Sequence, residues 1–198
     1  MNKRQIEPAD IMPSAAYGAE RAERRRKIAE LKRNRRVAVG PDVTAYFENY
    51  DTMWHQVHEM LFIEKGGDDQ VQDELRAYNP LIPKGNELVC TLMFEIDDPV
   101  RRASVLGVLG VLGGVEETVF LEVAGERVPA VAEADVDRTT AEGKASSVQF
   151  LHFQFKPEQA AKFRASGARV LLGIEHPAYA HMTILPEAVR MALAADLT

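Results

Sequence analysis

The sequence contains a single cysteine, Cys90, and has no long apolar run. One cysteine cannot form an internal disulfide or supply a cysteine-ligated zinc or iron–sulfur site, so we expect a reducing, cytoplasmic location. Residues 5–19 contain no continuous apolar stretch, so no secretory signal is expected. The most apolar window, 105–115, is about half as long as a membrane span and holds four glycines, so no transmembrane segment is expected either.

Motifs of the common nucleotide, hydrolase and zincin chemistries are also missing. The sequence has no GxxxxGK[ST] phosphate loop, no GxGxxG after a predicted strand, no GxSxG and no HExxH. No residue pattern therefore identifies a reaction, and whether the chain is an enzyme stays open at this stage.

Charge is distributed unevenly along the chain. Residues 1–36 hold 11 Lys or Arg and 5 Asp or Glu, whereas the remaining residues hold 13 bases and 25 acids. The composition, with 46% hydrophobic and 27% charged residues, is ordinary for a globular protein. The chain therefore combines a basic amino-terminal segment with an acidic body.

Two helices dominate the predicted amino-terminal half. The first is predicted over residues 14–36, where Ser14 is a good N-cap and Ala, Glu, Arg and Lys favour helix. The second is predicted over residues 42–65, because apolar residues from Val43 to Leu61 recur at a spacing of three to four. A glycine pair ends this helix, and a short third helix follows.

After residue 86 the apolar residues recur at shorter spacings, which predicts a sheet. Strands are predicted at 87–96, 118–124, 127–132, 147–155 and 168–175, and helices at 99–112, 157–166 and 186–197. The predicted fold is α+β, in which a helical amino-terminal half, residues 1–85, packs on a mainly antiparallel five-stranded sheet with flanking helices, residues 86–198. The two parts are expected to form one compact unit.

The polar face of helix 42–65 carries a candidate metal site. Glu48, His55 and Glu59 fall within roughly 60° of one another on a wheel that turns about 100° per residue. Iron, manganese and zinc take carboxylate and imidazole ligands from helices at such spacings, and a Glu–His pair can also transfer protons. A polar stripe opposite an apolar one is also typical of any surface helix, and this is the alternative interpretation.

A second candidate follows the last predicted strand. Two imidazoles, a carboxylate and a phenol lie within residues 175–181, and loops after strands often carry functional groups. His176 would join Glu48, His55 and Glu59 in one metal site if the two regions converged in space. The alternative is a histidine-containing turn with a structural role.

The basic first helix is a candidate interaction surface. Its cations could bind an acidic protein surface, a second copy of the chain or nucleic-acid phosphates, or they could be solvated or pack against the acidic body. The acidic body and the lack of interleaved aromatic residues beyond Tyr17 argue against nucleic acid. The predicted partner-binding residues are Arg24, Arg25, Arg26, Lys27, Arg33, Arg35 and Arg36.

Several short segments carry a resemblance to a known family. They are residues 35–41, 47–49, 56–60, 74–79, 81–83 and 176–179, which read RRVAVGP, FEN, QVHEM, ELRAYN, LIP and HPAY. Together they resemble a family of bacterial proteins of about this length, catalogued only as a domain of unknown function, over most of residues 10–197. Members are often encoded beside rubrerythrin-like proteins and cysteine-rich iron–sulfur oxidoreductases. The resemblance implies a context of cytoplasmic redox or peroxide metabolism and carries no established catalytic residues.

Taken together, the residues and the resemblance favour a non-catalytic accessory protein that binds partner proteins through its helical half within a bacterial redox system. One alternative is a metal-dependent oxidoreductase or metal-binding protein that uses iron, manganese or zinc. A second alternative is nucleic-acid binding through helix 14–36. The expected partner is another protein or a second copy of the chain, without membrane association.

Overall fold

The computed structural model describes residues 3–106, 112–133 and 146–198, and its central feature there is an eight-stranded antiparallel sheet. The sheet order is β1-β2-β3-β6-β5-β4-β7-β8. The strands are β1 (Arg36–Ala38), β2 (Val43–Phe47), β3 (Glu87–Phe94), β4 (Val119–Val123), β5 (Glu126–Ala132), β6 (Val148–Gln154), β7 (Val170–His176) and β8 (Tyr179–Ile184).

The two ends of the sheet meet, so that the sheet forms a nearly closed barrel. On β8, the Tyr179 hydroxyl donates to the Val39 carbonyl oxygen at 2.7 Å, and the Thr183 hydroxyl donates to the Ala38 carbonyl oxygen at 2.7 Å. Gly40 lies at this junction with φ +73°, and a Cβ atom there would lie 2.6 Å from the His181 ring. Both the positive φ and the close approach therefore favour glycine at this position.

Six α-helices surround the described part of the barrel. They are α1 (Ser14–Arg33), α2 (Tyr50–Glu64), α3 (Gly67–Tyr78), α4 (Pro99–Leu106), α5 (Pro157–Arg164) and α6 (Glu187–Ala194). The amino-terminal arm, α1, α2 and α3 form what we call the helical layer, which packs on the outer face of the barrel. Within the described ranges, no helix is both long and apolar enough to span a bilayer.

Alternation along β3 separates two hydrophobic cores. Leu88, Cys90 and Leu92 belong to the core inside the barrel, which also contains Leu151 and Phe153. Val89 points to the opposite face and belongs to the core beneath the helical layer, with Met53, Val57, Leu75, Leu81, Ile82 and Ile6. One strand therefore joins the barrel to the helical layer, because its successive side chains point to opposite faces.

The prediction of a five-stranded sheet is wrong, although the predicted α+β content is confirmed. The sequence prediction missed β1, β2 and β8. The predicted helix 42–65 covers all of β2. Val43, Ala45 and Phe47 are buried while the two residues between them are half-buried, which is the period of a strand. β-Branched and aromatic residues favour strand there, and pairing with β3 buries one face.

The helix predicted over 42–65 instead begins at Tyr50. Asn49 caps it: its side-chain oxygen accepts from the Thr52 backbone N–H at 3.0 Å, and the Thr52 hydroxyl accepts from the Asn49 N–H at 2.9 Å. This reciprocal capping box fixes the start of α2 after the strand. The predicted helix 14–36 likewise ends at Arg33, because Arg36 pairs with Tyr46 in the sheet.

The predicted site loop 175–181 contains a hairpin. His176 at the end of β7 pairs with Tyr179 at the start of β8, so the residues after the turn form a strand that the sequence prediction missed. The predicted helix 99–112 is observed over Pro99–Leu106, and residues 107–111 lie outside the described part of the chain.

Candidate functional site

α1 packs against α2 through a hydrogen-bonded cluster built on the buried Tyr17. The Tyr17 hydroxyl donates to Glu59 Oε1 at 2.8 Å. Arg21 binds both oxygens of the same carboxylate, with Nε 2.9 Å from Oε1 and Nη2 2.8 Å from Oε2. This bidentate contact is the main reason that the pKa of Glu59 falls to about 2. Burial raises the pKa of Tyr17 well above its ordinary value. The cluster therefore holds a carboxylate and a neutral phenol.

His55 completes this cluster from α2. Its Nδ1 lies 3.2 Å from the Tyr17 oxygen. Because the Tyr17 hydrogen is already donated to Glu59, we assign the His55 proton to Nδ1, which leaves Nε2 as an acceptor on a half-exposed ring. Burial is the main cause that lowers the pKa of His55, and the nearby charges of Lys32 and Arg25 lower it further.

His58, one turn away, is held through both ring nitrogens. The Met12 backbone N–H donates to Nε2 at 3.0 Å, so Nδ1 carries the proton and donates to the Trp54 carbonyl oxygen at 2.7 Å. The ring also stacks on the Trp54 indole, with centroids 3.7 Å apart. Burial lowers the pKa of His58. His58 is therefore a neutral histidine that attaches the amino-terminal arm to α2.

A groove of about 710 Å³, which we call the helical groove, opens beside these residues. It lies between the amino-terminal arm, the start of α1, the second half of α2 and the start of α3. Tyr17 and His58 contribute to its lining. Other lining residues are Ile11, Met12, Leu61, Phe62, Val71 and Lys65. The groove is therefore mainly apolar, with an amine at its rim.

The charged residues of α1 divide into paired and unpaired groups. Three cations pair with glutamates of the same helix: Arg24 with Glu20, Lys27 with Glu23 and Arg33 with Glu30. Arg25, Arg26 and Lys32, which we call the basic face, form no ion pair within 4 Å among the residues that the structure describes. Arg25 and Arg26 are exposed and Lys32 is half-exposed. Arg25 and Arg26 belong to the predicted partner-binding residues, whereas Lys32 does not, and the partner-binding role of the set stays a prediction.

Arg35, which was also predicted to bind a partner, is buried. Its Nε donates to the Phe47 carbonyl oxygen at 3.0 Å and its Nη2 to the Glu48 carbonyl oxygen at 3.0 Å. It also forms a buried ion pair with Asp196 after α6. Arg35 therefore joins the β2–α2 connection to the carboxyl-terminal helix. Arg36, by contrast, is exposed on β1.

The predicted metal ligands lie in three places. His55 and Glu59 belong to the Tyr17 cluster, where Arg21 and Tyr17 already bind the Glu59 carboxylate. Glu48 is buried at the β2–α2 connection and its Oε1 accepts from the Thr91 hydroxyl at 2.8 Å.

His176 lies at the β7–β8 turn, where Nδ1 accepts from the Ala178 N–H at 3.2 Å. Within the described residues, no group of three or more His, Cys, Asp or Glu is arranged to hold a metal ion. The metal site stays a prediction from the sequence.

The sequence prediction missed two arrangements of titratable residues. One is the Tyr17 cluster. The spacing of Tyr17, Arg21 and Arg24 in the sequence is the pattern that could have indicated it, because it places the three side chains on one face of α1. The other is built on β6: His152 Nδ1 lies 3.0 Å from Glu87 Oε2, and Nε2 lies 2.7 Å from Glu133 Oε2. Glu87 and Glu133 lie 65 and 19 residues from His152 along the chain, so no local pattern identifies them as its partners.

Comparisons with known proteins identify the family and a similar solved structure. The family model of DUF3501, described as a protein of unknown function, matches residues 5–197. The crystal structure of a novel protein of unknown function from Burkholderia pseudomallei K96243 is 36% identical in sequence, with a TM-score of 0.90. The match covers 98% of this chain and 100% of that one. No curated protein matches. The barrel with its helical layer is thus similar to a solved fold, and the chain belongs to the DUF3501 family.

Proposed function

We propose that this chain is an accessory protein that binds the acidic surface of a partner protein through the basic face of α1. The observation that carries the proposal is the set of three cations, Arg25, Arg26 and Lys32, without ion pairs among the described residues. They lie on a chain whose remaining segments are acidic. Such a local reversal of charge steers association with a complementary surface.

The surroundings of His55 support an anionic partner. Arg25 and Lys32 lie close enough to lower the pKa of His55, and the half-exposed ring keeps Nε2 available as a neutral acceptor. A partner carboxylate beside this ring would compensate the two cations and favour the protonated imidazole. Two residues of the basic face, Arg25 and Lys32, therefore lie close to His55.

A protein surface suits this face better than nucleic acid does. Tyr17, the one aromatic residue of α1, is buried and bonded to Glu59, so it offers no ring for stacking on a base. Apart from Arg21, which binds Glu59, α1 carries six cations, and three of them pair with glutamates of the same helix.

We expect the partner among the rubrerythrin-like proteins and cysteine-rich iron–sulfur oxidoreductases of the same cell, a context implied by the family resemblance. An accessory role suits the chemistry of Cys90, the single cysteine of the chain. It is fully buried in the barrel, and burial raises the pKa of its thiol, which keeps the sulfur protonated and unreactive.

The test is isothermal titration calorimetry of the full chain against each of these two purified partners, at about 50 and 500 mM salt. We expect binding that weakens with salt and that falls about tenfold or more in Arg25→Glu/Arg26→Glu. The matched control, Arg102→Glu/Arg169→Glu, makes the same charge change away from α1 and should bind as the wild type does. Equal weakening in both variants, or no binding to either partner, would overturn the proposal.

A further inference from the structure

We propose that the helical groove binds a small amphipathic anion, namely a carboxylate with an apolar body. This goes beyond the binding of a protein partner, because the groove lies at the opposite end of α1 from the basic face. Its volume of about 710 Å³ falls within the range of about 300–1,000 Å³ that is typical of ligand pockets.

The walls of the groove favour an apolar body. Ile11, Met12, Leu61, Phe62 and Val71 line it and are each half-buried, so they expose carbon surface that a ligand would remove from water. Removal of such surface from water favours binding. An aliphatic chain or a ring system satisfies this requirement.

Of the uncharged polar side chains that line the groove, Ser14 and Gln72 are exposed, whereas those of Tyr17 and His58 are already hydrogen-bonded. The Tyr17 hydroxyl donates to Glu59, and both ring nitrogens of His58 are bonded, to the Met12 N–H and the Trp54 carbonyl oxygen. A ligand rich in hydroxyl or amide groups would therefore lose hydrogen bonds to water and find few in return. This argues against a sugar or a nucleotide.

The positive charge at the rim of the groove favours a negatively charged ligand. Among the described lining residues, Lys65 carries the one formal charge, and none of them is a carboxylate. Lys65 ends α2 in the left-handed region with φ +58°, and its side chain is exposed. An apolar body in the groove with its carboxylate near this amine matches both surfaces.

The groove is also held open before any ligand arrives. The arm that forms one wall is fixed by the Met12–His58 bond and by the Trp54 indole N–H, which donates to the Asp10 carbonyl oxygen at 3.0 Å. A ligand therefore does not have to order this segment on binding, which removes part of the entropic cost.

Trp54 provides the measurement, because it is the single tryptophan of the chain and stacks on the groove-lining His58. The probes are dodecanoate and dodecyltrimethylammonium, which share a chain length and differ in head-group charge. We expect dodecanoate to change Trp54 fluorescence saturably, with one site by calorimetry and below its micellar concentration. The cationic probe should bind about tenfold more weakly or worse.

Variants locate the site. Lys65→Glu should weaken dodecanoate about tenfold, and Val71→Glu should abolish saturable binding. Ile63→Glu is the matched control, because Ile63 is exposed on α2 and does not line the groove; it should bind as the wild type does. Equal binding of both probes, equal loss in Ile63→Glu, or self-association of the free chain that fills the groove would overturn the proposal.

Discussion

The barrel and the helical layer differ in how completely they close. Inside the barrel, residues such as Leu88, Leu151 and Phe153 are fully buried. The helical layer leaves an open groove, a half-exposed His55 and three cations of α1 that have no carboxylate partner in the described part of the chain. The difference fits our proposals, in which the barrel serves as a scaffold and the helices that cover one of its outer faces bind partners.

His58 in the helical layer and His152 in the barrel differ in their protonation states. Both rings are bonded through both nitrogens, but His58 lies between a backbone N–H and a backbone carbonyl oxygen, whereas His152 lies between Glu87 and Glu133. The Met12 backbone N–H can donate to His58 only if that ring is neutral. The two carboxylates beside His152 each need a ring N–H donor, so that ring is an imidazolium. The hydrogen bond that His152 donates to Glu87 is the main cause that raises the pKa of His152, whereas burial lowers the pKa of His58.

The largest effect is expected where the two regions are joined. Arg35→Ala should lower the free energy of unfolding by about 3–5 kcal/mol, because it leaves Asp196 buried and unpaired and removes bonds to two carbonyl oxygens. Arg25→Ala, on the exposed basic face, should change it by less than about 0.5 kcal/mol. Denaturant unfolding measures both. Equal losses of unfolding free energy in the two variants would contradict the role of Arg35 in stabilising the fold.

His152→Gln should have the next largest effect on stability. It removes the imidazolium between Glu87 and Glu133, and hydrogen bonds to charged groups contribute about 1.5–3 kcal/mol. Because the folded pKa is raised, the stabilisation is full below pH about 6.5 and is lost as pH rises through the folded pKa. The stability difference from the wild type should therefore shrink at alkaline pH; a difference that grows would refute the charged assignment.

His58→Leu should show the opposite dependence. At pH about 8 it should cost about 1–3 kcal/mol, because the Met12 N–H loses its acceptor and the Trp54 carbonyl loses its donor. The folded pKa is lowered, so the wild-type stabilisation is present above pH about 6.5 and is lost as pH falls through the folded pKa. Urea unfolding between pH about 5 and 8 measures both histidines. If the stability differences of the two variants from the wild type changed with pH in the same direction, the two histidines would not differ in protonation as assigned.

Much of the fold could be predicted where the sequence signal is local. The five predicted strands correspond to β3–β7, since each combines strand-forming residues with nearby turn signals. β2 was mistaken for helix because Val43 and Phe47 fit a helical spacing as well as a strand spacing, and pairing with β3 decides between them. β8 was missed because it is short and mostly exposed, so it carries little apolar pattern.

The candidate site could be predicted only in part. The proximity of His55 and Glu59 follows from their spacing of one helical turn. Their contact with Tyr17 and Arg21 depends on how α1 packs, and the contact of Arg35 with Asp196 joins opposite ends of the chain. Such contacts come from tertiary packing, which no periodicity within one helix encodes.

The smallest effect on folding and the largest on binding are expected from Arg25→Glu/Arg26→Glu. Because both side chains are exposed and unpaired in the described structure, its unfolding free energy should stay within about 0.5 kcal/mol of the wild type. The calorimetric titration against the rubrerythrin-like and iron–sulfur partners then tests most directly whether the helical layer binds. The account predicts affinity about tenfold weaker in this variant and unchanged in Arg102→Glu/Arg169→Glu. Wild-type affinity in both variants would contradict it.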